Sequence, residues 1–147
     1  MYPIDIEDIE YLSHDGIALP ARVYRPRGVG PFPAMVELHG GAWIKGAYVN
    51  NEAINRPVAE AGVVVVAVEY RKPPMGTYPS SVADANYAIR WLKNNAARFA
   101  TRPEMVGVMG TSAGGHLAVL SALKPHDARY AGISLKGGES VDASVAC

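Results

Sequence analysis

From Val63 to Val68 every residue is Val or Ala. A strand with one wet face alternates apolar and polar residues, so a run that is apolar at every position needs cover on both faces. A short β-branched run of this kind predicts a parallel strand between two helical layers. Gly62 punctuates its start, and Glu69-Tyr70 lead out of it into a loop from Arg71 to Pro79 that holds three prolines and a glycine.

The flanking segments fit a chain that alternates strand and helix. Ile4 to Leu12 and Leu19 to Tyr24 are rich in β-branched and aromatic residues around a His14-Asp15-Gly16 turn, which predicts an antiparallel pair at a sheet edge. Ala34 to His39 reads as a short strand. Asn51 to Ala61 reads as a helix with a kink or boundary at Pro57. A long helix is expected from Ser80 to Phe99, with Ser80 or Ser81 as its cap and Asp84 as a carboxylate favoured by the helix dipole. Met105 to Met109 and Ala113 to Leu123 complete the pattern as strand and helix. The class is α/β, a mostly parallel sheet with helices on both faces.

The 147 residues carry 14 Lys plus Arg against 14 Asp plus Glu. A formal charge of zero argues against a nucleic-acid or anionic-membrane binder, since both need excess positive charge to meet phosphate. No apolar run approaches the ~18–20 residues that span a bilayer. The acidic start, MYPIDIEDIE, is unlike a signal peptide, so a cytoplasmic protein is expected. Cys147 is the single cysteine, which permits neither an internal disulfide nor a cysteine metal site. No metal and no cofactor is implied. A homo-oligomer stays open.

Gly110-Thr111-Ser112-Ala113-Gly114 carries the strongest chemical signal. It fits G-x-S-x-G and lies between a predicted strand and a predicted helix, the context this motif requires. In so tight a turn the serine takes strained backbone angles, and side chains at the two glycine positions would collide with the neighbouring strand or helix. Ser112 is then lifted to the top of the sheet, where the Ala113 N–H and the helix dipole face developing negative charge. A dinucleotide fingerprint fails because position 112 is not glycine, and a P-loop fails because His116 stands where Lys is needed. Upstream, His39-Gly40-Gly41-Ala42-Trp43 follows a predicted buried strand directly. Its glycines let backbone N–H groups approach an oxyanion with no Cβ in the way.

HGGAW and GTSAGGH together resemble the α/β-hydrolase fold, and within it the hormone-sensitive-lipase-like and acetyl-esterase-like carboxylesterases. Glu69-Tyr70-Arg71 and Tyr78-Pro79 extend the resemblance, which covers the chain from Ile4 onward. Thr111 departs from the Asp that many lipase-branch members carry there. The resemblance implies Ser112 as nucleophile and Gly40, Gly41 and Ala113 as the oxyanion hole. It implies His39 as a support of that loop, Trp43 as pocket lining or packing, and a small-molecule ester, short acyl or acetyl, as substrate. An amidase, formamidase or peptidase of the same fold is an alternative, as is a non-catalytic binding protein.

In this family the triad runs Ser, acid, His. After Ser112 the histidines are His116 and His126 and the acids are Asp127, Glu139 and Asp142. His116 is too near in sequence, and His126-Asp127 are adjacent and in the wrong order. The triad Asp and His are therefore expected beyond residue 147. Ala143 to Cys147 reads as the opening of an apolar strand, so residues 1–147 are expected to be the N-terminal part of one α/β-hydrolase domain, with its C-terminal strands missing and an open sheet edge.

Overall fold

A computed structural model describes residues 1–137 and 140–146; Glu139 and Cys147 lie outside them. Among the described residues five strands form one sheet: β1 (Ile4–His14), β2 (Ile17–Pro26), β3 (Ala34–Leu38), β4 (Val64–Val68) and β5 (Val106–Gly110), in the order β1-β2-β4-β3-β5. The β1–β2 and β2–β4 pairs are antiparallel, while β4, β3 and β5 run parallel. β1 occupies one edge, as the hairpin residues predict. At the other edge the Ala146 N–H donates to the Val106 carbonyl at 2.8 Å, so the final described residues lie along β5.

β4 shows why the valine run is unbroken. Val64, Val66 and Val68 join the larger core beneath α2 (Ser80–Asn94) and α3 (Ala113–Leu123). Val65 and Ala67 face the other way, against Tyr24 and Ala59 of α1 (Glu52–Glu60). All five are fully buried. With ~1.5–3 kcal/mol gained per buried valine-sized side chain, this strand is a principal source of cohesion on both faces.

Four local expectations need correction. α1 runs through Pro57 without a break. The proline ring removes one N–H, but Ala53 and Pro57 are both exposed, so the Ala53 carbonyl left without that partner reaches water. The long helix ends at Asn94, and the chain continues in a 3₁₀ turn (Ala96–Phe99) that closes on Ala100 at φ 52°. Neither Ser80 nor Ser81 caps α2: both lie inside its first turn, and the N-cap is Pro79, with no side-chain cap bond. Asp84 is fully buried, and its carboxylate accepts from the Arg71 N–H at 2.8 Å and from the Arg71 guanidinium at 2.8 Å. It anchors the proline loop to α2; its task is a buried ion pair rather than a helix-dipole contact. Among the described residues no helix is long and apolar enough to cross a membrane.

Candidate active site

Ser112 joins β5 to α3 at φ 51° and ψ −118°, a region that L-residues rarely occupy. The turn around it is closed by hydrogen bonds from the Thr111 N–H to the Leu38 carbonyl (3.2 Å) and from the Gly114 N–H to the Thr111 carbonyl (2.8 Å). A Cβ on Gly110 would overlap the Gly114 carbonyl, and one on Gly114 would overlap the Leu38 carbonyl. The glycines are thus required by a strand and a helix that pack backbone to backbone. Ser112 itself is exposed.

The His39-Gly40-Gly41 segment leaves β3 and passes directly against this turn. A Cβ on Gly40 would stand 3.1 Å from the Thr111 carbonyl and 3.3 Å from Ser112 Cβ. Gly41 has φ 136°, and a Cβ there would overlap the Lys45 carbonyl, because the loop doubles back through Ala42 (φ 52°) and Trp43 (φ 63°). Among the described residues the N–H groups of Gly40, Gly41 and Ala113 donate no hydrogen bond.

His39 is fully buried and stacked on Tyr70, with ring centroids 4.4 Å apart. Its Nδ1 lies 2.6 Å from the Gly40 carbonyl oxygen, which can only accept, so Nδ1 carries a proton and donates. In a trans peptide the C=O and the following N–H point oppositely, so this bond also sets the direction of the Gly41 N–H. Below it, Glu69 Oε1 lies 3.0 Å from His39 Nε2 and pairs with Lys72. Burial pushes the Glu69 carboxyl up, but the hydrogen bonds from His39 and Lys72, with the Lys72 charge, outweigh it and leave it below the usual value.

Trp43 is half exposed, and its Nε1–H donates to His116 Nδ1 at 3.3 Å. The two rings sit edge to face on a cleft of about 290 Å³ that Ile44, Tyr78, Val82 and Leu117 also line. His116 is therefore engaged with Trp43. His126 is exposed, Asp127 accepts from Arg129, whose hydrogen bonds hold its carboxyl down to about 2, and Asp142 accepts from Lys93. Among the described residues no histidine or carboxylate hydrogen-bonds the Ser112 hydroxyl.

Two polar clusters here were not anticipated from the sequence. One is Glu69 and Lys72 beneath His39. The other is Glu37, fully buried in β3 between β4 and β5, whose carboxylate accepts from Asn51 (2.7 Å) and Asn55 (3.2 Å). Burial pushes the Glu37 carboxyl up, and the amide hydrogen bonds offset this only in part. The available signal was a carboxylate inside the otherwise apolar strand Ala34–Leu38, which demands partners from elsewhere.

The BD-FAE family model matches residues 22–145. The carboxylic ester hydrolase LipN of Mycobacterium tuberculosis is 37% identical over 132 residues, which is 88% of this chain and 35% of that protein. A hyperthermophilic esterase from Pyrobaculum calidifontis superimposes with a TM-score of 0.77 at 37% identity, over 86% of this chain and 41% of the other. Propionate-bound Est2, an esterase from Thermogutta terrifontis, gives 0.83 at 27% identity, over 95% and 52%. The chain spans between 24% and 39% of the length of the curated relatives it matches. The strand–GTSAG–helix turn seated against HGG on a mixed α/β sheet, together with these matches, places the chain in the BD-FAE family, with the α/β-hydrolase fold of the esterases.

Proposed function

We propose that this chain is the nucleophile-bearing part of a serine hydrolase that cleaves carboxylic esters. Ser112 Oγ attacks the ester carbonyl, the N–H groups of Gly40, Gly41 and Ala113 hold the oxyanion, and water then releases the acyl group. The base and acid are assigned to residues after 147, the order in which triads of this fold run. His39 supports the oxyanion loop, and Trp43 lines the cleft that takes an apolar part of a short acyl ester. The reaction as read needs no metal or cofactor. The same reading puts the protein in the cytoplasm, with a small-molecule ester and not a nucleic acid as its partner.

The observation that carries this is the strained Ser112 turn packed against Gly40, beside three N–H groups that have no other partner among the described residues. The full-length protein should react with a fluorophosphonate probe, lose that reaction in Ser112→Ala, and turn over p-nitrophenyl acetate faster than the matching anilide. A preference for the anilide would move the assignment to an amidase. An unreactive serine would leave a binding protein built on the same fold.

A further inference from the structure

Asn51 occupies the N-cap of α1, a position where its side-chain oxygen ordinarily accepts an N–H of the first helical turn. It makes no such bond. Its amide turns instead into the sheet, where the single Nδ2 group reaches Glu37 Oε1 at 2.7 Å and Thr111 Oγ1 at 2.9 Å. An NH₂ group has two hydrogens, and both are spent on these acceptors. Glu37 settles which way the amide faces: with Oδ1 turned toward a buried carboxylate the contact would be repulsive. Asn55 holds the other Glu37 oxygen at 3.2 Å, so the carboxylate itself cannot swing away freely.

Thr111 is the residue immediately before the nucleophile. On the α1 side of the sheet a cavity of about 160 Å³ borders Thr111, Gly110, Met109, Ile54, Asn51 and Glu37. Packing is therefore incomplete on that side of the turn, and the Asn51 hydrogen bond stands where close contact is lacking. On the other side the Thr111 N–H is tied to the Leu38 carbonyl, and Gly40 lies so near that a Cβ on it would stand 3.1 Å from the Thr111 carbonyl.

From this geometry we infer that Glu37 and Asn51 are positioning residues, which act through the Thr111 hydroxyl to hold the strained Ser112 turn at its working angle. The inference rests on the serine-hydrolase reading above. Neither residue touches the cleft that takes the ester, so their loss lowers the rate of attack and leaves substrate affinity unchanged.

Labelling by the fluorophosphonate and turnover of p-nitrophenyl acetate by the full-length protein test it. Asn51→Ser keeps a good N-cap residue but is too short to bridge both acceptors. Thr111→Val keeps the shape and removes the acceptor. Each is expected to slow labelling roughly 10- to 100-fold, with KM little changed, because small misplacements of a reacting group cost that much. Thr111→Ser, which retains the hydroxyl, should recover most of the rate. The double variant Asn51→Ser/Thr111→Val should be no slower than its slower parent. Wild-type labelling rates in Asn51→Ser, or losses that multiply in the double variant, would overturn the inference. Should Asn51→Ser fold poorly, the Val and Ser pair at position 111 decides alone: equal rates in the two overturn it. A wild-type protein that labels no faster than Ser112→Ala removes the serine-hydrolase reading and this inference together. Reactive wild type with equally reactive variants removes only the inference.

Discussion

Gly114 in the first turn of α3 lies so close to Leu38 at the end of β3 that a Cβ on the glycine would overlap the leucine carbonyl. That contact joins the two motifs across 76 residues of chain, from Leu38, which precedes HGG, to Gly114, the last residue of GTSAG. It forces the GTSAG turn and the HGG loop to share one small region.

Gly114→Ala is accordingly expected to destabilise the protein by about 2–3 kcal/mol, the upper part of the range for overpacking, because the obstacle is backbone and cannot rotate aside. Gly115→Ala, with its nearest contact at 3.2 Å from the Gly110 carbonyl, should cost clearly less. Urea unfolding of the two variants checks the order, and equal midpoints would refute it.

The φ of 51° at Ser112 makes a second prediction. Glycine adopts such angles without strain, so Ser112→Gly should be more stable than Ser112→Ala by about 1 kcal/mol, although both abolish labelling. Thermal melts of the pair suffice. An alanine variant as stable as the glycine variant would mean that the turn stores no strain.

Asp84 and Arg71 form a buried pair, with side chains 0% and 16% exposed, whereas Asp8 and Arg22 pair at the surface. Removing one partner of a buried pair strands the other charge, so Asp84→Asn is expected to cost about 3 kcal/mol. Asp8→Asn should cost less than about 1 kcal/mol, and that smaller loss should shrink further in salt. Denaturant titrations at low and high ionic strength separate the two.

Burial raises the Glu37 carboxyl above its ordinary 4.5. For an acid raised on folding, the contribution to stability is fully present below the unfolded pKa and is lost as pH rises through the folded one. Wild type should therefore lose stability relative to Glu37→Gln as pH climbs from about 4 through the raised value. A stability difference between the two that stays flat across that window would show that Glu37 titrates normally.

Much of this was legible from local chemistry. The run Val63–Val68 required two covered faces, and β4 has them, with α1 on one side and α2 and α3 on the other. The glycines of GTSAG predicted a turn too tight for side chains, and the Gly114 contact with Leu38 is that tightness. Asp84 was misjudged because its partner, Arg71, lies 13 residues back across a proline loop, and helix position alone suggested a dipole contact. The end of the long helix was misplaced because its apolar spacing continues into the 3₁₀ turn that carries buried Phe99.

What the sequence by itself determined is whatever depends on near neighbours: the period of each strand and helix, the strained serine turn, and the glycine loop. What only the tertiary structure decided is which distant polar groups meet. Glu37 with Asn51 and Thr111, and His39 with Glu69 and Lys72, are brought together by strand order and register. Hydrogen bonds act over about 3 Å, so these partnerships exist only once the sheet has assembled.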